Sequence, residues 1–569
     1  MSDREPLATL VKKFAAASSA NENWMQSSLN CISSSVYGRA TLSKVIGIHR
    51  GGALVALLVT VILVLTACSG NGSSESKGEG STLKLLLPFL ADTWDTRDTS
   101  SVELAPGLLV NEPLMTYQAD GTFAPTLAVK VDHPDPLTYV YTLRTGVKFS
   151  DGAKLTPEDV KYSFDLHIAK GTTSKIARYW AGKTVSVEGA DQVKVTLPGP
   201  DPEFPYTITK TGIVEKAYYE KNNGQVGTPN VPQIGTGPYT YESFSAGTSV
   251  TLERNSGYWG KEAPYKSISF VTPKDDGSRL LALQSGDYDG IFLPPLSQVP
   301  AIKAVQGLSS VKTSDVAIYR ISFDMKKAPF DDVHVRKAIT HLVDRESLIK
   351  TAFGGEATIA NSLVPKETLI GLADAAPVDS AYKKFGSELT YDLSAAKAEL
   401  AQSSVPSGFD VEVPVHASDP TESLIAQTLA QSLKQIGINV SVKSVDDATF
   451  GNAVYLDHTT GGLMVDSWNA GSPEPGNLPF SVLTPGSIAN LSQLDDPAVN
   501  EALKAYRNLE PGTEAQTKLL DALTAAQSQA AYVPIAFSNI YTFAIDSLQV
   551  KDFTSFWWLT PIIETLVSK

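Results

Sequence analysis

The chain has 569 residues, more than one hydrophobic core holds, so two or three domains are expected. It carries 47 basic and 61 acidic residues, a net charge of −14, without a basic run, which argues against nucleic-acid binding. Cys31 and Cys68 are its two cysteines, which excludes a disulfide scaffold and a cysteine-based zinc site. The seven histidines form no H-x-x-x-H or H-x-H pair, so neither a metal nor another cofactor is expected.

An uncharged apolar run at 52–67 follows three basic residues, Arg39, Lys44 and Arg50. A positive flank, an apolar segment and small residues at its end are typical of a secretory signal. The ending Leu-Thr-Ala-Cys resembles a lipobox, which implies cleavage before Cys68 and a lipid on that cysteine. The alternative is a transmembrane anchor, because the run is only slightly shorter than the roughly 20 residues of a span. Both interpretations place the rest of the chain outside the cytoplasm.

Two further features of the amino-terminal region affect the organisation of the chain. The segment before the apolar run is long for a signal, so translation starting at Met25 is an alternative to Met1. Residues 69–81, SGNGSSESKGEGS, are small and polar, which is typical of a flexible tether. We expect residues 1–67 to be a signal peptide and residues 68–81 to link a lipidated Cys68 to the folded part.

The stretch 139–164 has the strongest local pattern in the chain. Alternation from Tyr139 to Leu143 predicts a strand, and a second short strand is expected at 147–149. Asp-Gly at 151–152 indicates a tight turn. Thr156 then predicts a helix start, with proline at the first helical position and two acids in the first turn.

Residues 143–164, LRTGVKFSDGAKLTPEDVKYSF, closely resemble the signature of the family 5 extracellular solute-binding proteins. These are the dipeptide-, oligopeptide- and nickel-binding components of ABC importers. Four further segments resemble motifs of the same family: Asn-Glu-Pro-Leu at 111–114, Gly-Thr-Gly-Pro-Tyr at 235–239, Asn-Ser-Gly-Tyr-Trp at 255–259, and 328–348. The resemblance spans roughly residues 82–560.

The later part of the chain alternates strand and helix patterns. A strand at 409–415, an amphipathic helix at 422–436 ended by Gly437 and a strand at 438–442 predict a βαβ unit. Earlier and later elements are expected as a buried first strand at 82–87, a helix at 104–114, helices near 497–508 and 513–531, and a strand at 532–544. This order favours an α/β fold.

The resemblance implies a two-lobed α/β periplasmic-binding-protein fold with an extra domain, hinge strands and a ligand cleft between the lobes. By this resemblance, lobe I comprises residues 82–112, 231–320 and 540–569. The extra domain comprises residues 113–230, and lobe II comprises residues 321–539. A lipid-anchored monomer would capture its ligand as the lobes close and deliver it to an ABC permease and ATPase complex. No catalysis and no nucleic acid are expected.

The segment DSWNAGSPEP at 466–475 resembles the ligand loop of the family. This resemblance implies ligand contacts by Trp468, Asn469 and Glu474, although a core tryptophan and a loop-stabilising glutamate are the alternatives. Trp94 lies in the first loop, where family members line the cleft, and Phe537 lies at the last crossing between lobes. Simple packing is the alternative for both aromatic residues.

Peptide binders of the family place an aspartate at the position of Gly471, where it pairs with the peptide ammonium group. Its absence leaves two possibilities open: Glu474 or another acid supplies the partner, or the ligand lacks a free amino group, which we favour. An oligosaccharide, a modified peptide or another polar metabolite stacked on Trp468 would fit the second case. Arg254 and Arg320 are candidates to neutralise an anionic ligand, although surface ion pairs are the simpler interpretation.

Two other classes of function compete with that of an importer component. An enzyme would need a nucleophile and a base, but the sequence contains neither G-x-S-x-G nor H-E-x-x-H. A lipid-anchored surface receptor or chaperone-like protein on the same fold, without a transport role, remains the alternative to an importer component. Neighbouring genes for two permeases and two ATPases would favour transport.

Overall fold

The computed structural model describes residues 81–222 and 224–569. The apolar run, Cys68 and nearly all of the tether lie outside the described residues, so the predictions made for them stay predictions. Within the described ranges, no helix combines the length and the apolar character needed to cross a membrane.

The strands and helices alternate along the described chain. The strands are β1 (Thr82–Leu86), β2 (Met115–Tyr117), β3 (Phe123–Pro125), β4 (Ala128–Asp135), β5 (Thr138–Leu143), β6 (Thr184–Glu188), β7 (Gln192–Thr196), β8 (Tyr239–Ser245), β9 (Ser249–Arg254), β10 (Ser267–Val271), β11 (Gly290–Phe292), β12 (Leu308–Phe323), β13 (Ala357–Ile359), β14 (Asp410–His416), β15 (Asn439–Val445), β16 (Leu463–Trp468), β17 (Tyr532–Ile545), β18 (Leu548–Val550) and β19 (Leu566–Ser568). The helices are α1 (Leu104–Gly107), α2 (Pro157–Ile168), α3 (Ala177–Trp180), α4 (Phe204–Lys210), α5 (Lys216–Asn222), α6 (Asp276–Gln284), α7 (Val299–Lys303), α8 (Val333–Thr340), α9 (Arg345–Thr351), α10 (Lys366–Ile370), α11 (Ala375–Glu388), α12 (Leu393–Ala401), α13 (Pro420–Leu433), α14 (Asp447–Phe450), α15 (Asn477–Leu483), α16 (Pro497–Arg507), α17 (Thr513–Ser528) and α18 (Ile562–Thr565).

A large mixed sheet runs through the molecule in the order β16-β12-β17-β11-β1-β10-β9-β8, with β13 also pairing with β17. Its two long central strands, β12 and β17, have 16 and 14 residues and pair antiparallel. One end of this pair continues into β11 and β1, and the other end carries β13 and β16. Two strands therefore connect the two ends of the sheet, as a hinge requires.

Separate hydrophobic cores flank this sheet. One surrounds β1, β9 and β10 and includes the carboxyl-terminal aromatic residues near Trp557. Two others lie around β14 with α13, and between α11, α16 and α17. A fourth core lies within 114–213, beside the four-stranded sheet β4-β5-β7-β6. The elements match the α/β composition predicted from the sequence.

The signature stretch folds largely as its pattern predicts. Thr156 and Asp159 form a reciprocal capping box at the start of α2, and Pro157 occupies the first helical turn. Phe164 on the same helix packs against Trp180, with ring centroids 4.4 Å apart. The second strand expected at 147–149 is wrong, because only an isolated bridge between Lys148 and Lys154 forms there.

Three family-like motifs meet at one buried carboxylate, Glu112. It accepts hydrogen bonds from Thr236 Oγ1 at 2.9 Å, Tyr258 Oη at 2.7 Å and Trp259 Nε1 at 3.0 Å. Burial raises the pKa of Glu112 to about 7, although the three donors act in the opposite direction. These motifs therefore hold three segments of the chain together, which is a structural role rather than a ligand-binding one.

The Gly-Thr-Gly-Pro-Tyr turn also explains why α1 is shorter than the helix expected at 104–114. The carbonyls of Leu109 and Val110 accept hydrogen bonds from the Tyr239 and Gly237 amides, at 3.1 and 2.9 Å, instead of continuing the helix. The backbones approach so closely that a Cβ on Gly235 would lie 1.9 Å from the Val110 oxygen. Only glycine fits this contact.

The predicted βαβ unit is confirmed. β14 and β15 pair in parallel and are connected through α13. Gly437 ends the helical segment with φ of 81°, the left-handed conformation that glycine adopts without a steric penalty.

Candidate functional site

A cavity of about 400 Å³ lies where the long strands meet the loops from both ends of the sheet. Its size is within the range of about 300–1,000 Å³ typical of small-molecule sites. We call it the hinge cleft, and it is lined by Phe89, Ser100, Ser101, Val102, Lys175, Arg178, Tyr179, Leu293, Asp315, Asn469, Ala470, Gly471, Ile540 and Ser555 to Trp558. Because these residues come from widely separated segments, the cleft depends on the arrangement of the whole fold.

The loop that follows β16 closes one side of the hinge cleft and is held to helix α4. The Lys210 ammonium donates to the Gly471 carbonyl at 2.6 Å and lies 3.5 Å from the Glu203 carboxylate. Asn477 links the same groups, donating to Glu203 at 2.7 Å and accepting from the Gly471 amide at 2.8 Å. Lys210 is buried, and its ammonium lies 4.2 Å from the centre of the Tyr179 ring. Polar bonds therefore tie the loop after β16 to helix α4 beside the hinge cleft.

A side chain at Gly471 would meet the ends of the Tyr179 and Arg178 side chains in this arrangement. A Cβ at this position would lie 2.2 Å from Tyr179 Oη and 2.9 Å from Arg178 Nη2. The two residues hydrogen-bond to each other, with Arg178 Nη2 donating to Tyr179 Oη at 2.5 Å. Adding an aspartate at Gly471 would thus require Tyr179 to move, so this substitution alone is a poor test of peptide binding.

Asp315 lines the cleft from β12, at an irregular point of the hinge. The ladder between β12 and β17 changes register between Ser314 and Ile318, which frees Asp315 from regular pairing. Bulges of this kind redirect a side chain next to functional sites. The Val316 amide donates to the Asp315 carboxylate at 2.8 Å.

Of the five residues predicted to contact ligand, the structure brings Asn469 to the hinge cleft. Trp468 immediately precedes it, half-buried at the end of β16, with its ring 5.4 Å from that of Tyr455. Phe537 is buried on β17 and borders a different cavity of about 330 Å³. Trp94 is buried in a core against Tyr241 and does not line the cleft. The packing alternative describes Trp94 better than the binding prediction.

Glu474 lies in a neighbouring cavity of about 690 Å³, here called the outer cavity, which shares Ala470 and Phe556 with the hinge cleft. The Tyr506 hydroxyl donates to its Oε1 atom. Burial, together with the nearby Glu203 charge, raises the pKa of Glu474 from 4.5 to about 8. The side chain is therefore buried, already hydrogen-bonded to Tyr506, and placed outside the hinge cleft.

Replacing Glu474 with glutamine is expected to change the pH dependence of stability. Because the folded-state pKa is raised, the wild-type contribution is complete below about pH 4.5 and is lost as pH rises through about 8. Glu474→Gln removes that loss, so its melting temperature should gain on the wild type between about pH 5 and 8.5. Glu510→Gln, at an exposed acid of the outer cavity, is the control. Parallel pH profiles for wild type and Glu474→Gln would contradict the assignment.

Neither candidate arginine lies in the cleft. Arg320 forms a bidentate ion pair with Asp466, both side chains being fully buried, so a surface ion pair is wrong for this residue. Arg254 pairs with Glu262, which is exposed, and also donates to the Pro264 and Tyr265 carbonyls, as a structural role predicts.

The sequence reasoning missed Lys175, Arg178, Tyr179 and Asp315. The first three follow the end of α2 in a short polar segment without periodicity, so no local pattern marks them. Asp315 carried one weak signal, because aspartate is depleted in strands and this one lies in the middle of the long strand β12.

Comparisons with known proteins agree with this geometry. A family model described as bacterial extracellular solute-binding proteins, family 5 Middle, matches residues 122–490. The glutathione-binding protein GsiB of Salmonella paratyphi A is 30% identical over 318 residues, 55% of this chain and 59% of that relative. The match to this relative therefore spans less than two thirds of its length.

Solved structures share the fold. The ABC transporter-associated periplasmic binding protein DppA of Helicobacter pylori, in complex with peptide STSA, has a TM-score of 0.70 at 21% identity, covering 87% of this chain and 100% of that one. AgaA of A. tumefacien R10, in complex with agropinic acid, has a TM-score of 0.69 at 22% identity, covering 86% and 99%. The predicted two-lobed periplasmic-binding-protein fold is confirmed. The chain belongs to the family 5 bacterial extracellular solute-binding proteins.

Proposed function

We propose that this chain is the extracytoplasmic solute-binding component of an ABC importer. It captures a peptide or another polar solute in the hinge cleft and delivers it to a membrane permease coupled to an ATPase. The observation that carries this proposal is the cleft itself, which is lined by both long strands and by loops from both ends of the sheet. A ligand in such a place contacts both lobes at once and so favours their closed arrangement.

The relatives support a small polar solute as the class of ligand, but they do not identify a single compound. Among them, GsiB is described as glutathione-binding, DppA was solved with a peptide and AgaA with agropinic acid. These ligands share polar groups and a modest size, which suits a cleft of about 400 Å³. The lining combines apolar surfaces, such as Trp557 and Trp558, with charged and amide groups. In small-molecule sites the apolar surfaces supply contact area and the polar groups fix the orientation of the ligand.

Mass spectrometry of the solute retained by the purified protein tests this proposal. The retained compound should raise the melting temperature by mass action, by an amount that grows with its concentration. It should also be recovered unchanged after long incubation, since the protein carries its ligand without transforming it. Turnover of the compound, or failure to bind any small solute, would contradict the proposal. A surface receptor without a transport role remains the second candidate, favoured if no permease genes accompany this gene.

The lipid anchor is a separate part of the proposal. If the Leu-Thr-Ala-Cys ending is a lipobox, Cys68→Ala should abolish acyl labelling and either release the protein from membranes or leave it uncleaved. Cys31→Ala is the matched control, because that cysteine precedes the expected cleavage site. Acyl labelling that persists in Cys68→Ala would rule out the anchor.

A further inference from the structure

The hinge cleft contains two opposite charges that do not pair with each other. Asp315 and Arg178 line the same cavity, and within the described part of the chain neither forms an ion pair with the other or with a third residue. Lys175 differs, because it lies 3.4 Å from the Glu103 carboxylate. The cleft therefore keeps one acid and one base available for a bound molecule.

Asp315 is positioned by backbone alone. Its hydrogen-bond donors in the described structure are the amides of Val316 and Ala317, on the irregular segment of β12. Burial raises the pKa of Asp315 to about 6 despite these amides, as expected of a carboxylate without a neighbouring cation. Asp315 is half-buried, and a bound solute that excludes the remaining water would leave its charge dependent on a cationic partner.

The position that carries the ammonium-binding aspartate in the family's peptide binders is a glycine in this chain. Gly471 carries no acid, and the Tyr179 hydroxyl and Arg178 guanidinium occupy the space that its side chain would need. Glu474 lines the outer cavity instead of the hinge cleft, and its carboxyl already accepts a hydrogen bond from Tyr506. Among the acids considered for an ammonium partner, Asp315 is the one that borders the hinge cleft.

We propose that Asp315 binds an ammonium group of the solute while Arg178 binds its anionic group, so that the ligand is a small zwitterion such as a short peptide or an amino acid derivative. This inference rests on the proposed function, since it names the solute class of the same cleft. It departs from the expectation, drawn from Gly471 alone, that the ligand lacks a free amino group. The acid that pairs with the ammonium group lies on the hinge strand β12 instead of the loop after β16.

The first test uses the wild-type protein and four probes: a pool of unmodified di- and tripeptides, the same pool acetylated at the amino terminus, the same pool amidated at the carboxyl terminus, and a pool of neutral oligosaccharides. Binding is read from the shift in melting temperature and from mass spectrometry of retained compounds. The unmodified pool should bind at least tenfold more tightly than either modified pool, as expected for the loss of one charge-assisted hydrogen bond.

The second test uses variants. Asp315→Asn and Arg178→Gln should each weaken the retained peptides about tenfold or more, and Asp315→Asn should discriminate less between free and acetylated amino termini. Glu510→Gln and Lys170→Gln, at exposed positions outside the hinge cleft, are the matched controls and should bind like the wild type. Should Asp315→Asn fail to fold, the probe pools on the wild type still decide the question.

The outcomes separate this inference from the proposed function. Equal binding of free and acetylated peptides, unchanged affinity in Asp315→Asn, or absence of peptide binding would each overturn the assignment of Asp315. Binding of oligosaccharides alone would overturn it as well, while leaving solute capture intact. Failure of every small solute to bind would overturn both.

Discussion

Replacing Asp466 with alanine is expected to lower the free energy of unfolding by about 3–5 kcal/mol, because it leaves Arg320 as an unpaired charge in the core. The two side chains are fully buried and joined by Nε–Oδ1 and Nη2–Oδ2 contacts of 3.0 and 2.9 Å. Ser322 also donates to Asp466, and Arg320 donates to the Ala489 carbonyl, so the loss would disturb a network. Denaturant unfolding measures this change.

The control for this prediction is an exposed pair. Lys161 and Asp165 lie one helical turn apart with an N–O distance of 2.5 Å, and Asp165→Ala should cost less than about 1 kcal/mol. The double variant Arg320→Met/Asp466→Leu should recover part of the loss, because no buried charge then lacks a partner. A cost for Asp466→Ala as small as that of Asp165→Ala would show that the buried pair is not important for stability.

Replacing Lys210 with methionine is expected to weaken solute binding by about 10- to 100-fold, as removal of a charge-assisted hydrogen bond of the closed state predicts. Its ammonium bonds the Gly471 carbonyl beside the hinge cleft at 2.6 Å and balances Glu203. Without it, closure buries a carbonyl and a carboxylate that lack this partner. Titration calorimetry with the retained solute measures the change in affinity.

Lys216→Met is the matched control, because Lys216 lies outside the cleft and pairs loosely with Glu220 at 3.8 Å. The control should bind within about twofold of the wild type. Equal affinities for Lys210→Met and the wild type would mean that this contact does not contribute to closure. Melting temperatures of the ligand-free proteins show whether Lys210→Met also lowers stability. This comparison separates an effect on stability from an effect on closure.

Much of the fold could be predicted because its signals are local. The helix start at Thr156 and the helix end at Gly437 each depend on a few neighbouring residues, and each was found where the sequence places it. The alternation in β5 likewise identifies a strand from six residues. Local rules of capping, turn geometry and periodicity are sufficient for such elements.

The site could be predicted only in part, because it depends on long-range packing. An aromatic residue in a loop, such as Trp94, can face a cleft or a core, and only the approach of Tyr241 decides between them. Glu474 acquires its hydrogen-bond partner from Tyr506, 32 residues away, and its raised pKa from burial. The resemblance identified the loop that borders the cleft, but not the groups that face it from β12 and α3.

Small-angle scattering with and without the retained solute tests the central claim most directly, that a solute bound in the hinge cleft favours closure of two lobes about β12 and β17. The account predicts a smaller radius of gyration in the wild type at saturating solute, and a smaller or absent change in Lys210→Met at the same concentration. A solute that binds with measurable affinity yet leaves the radius of gyration of the wild type unchanged would contradict the account.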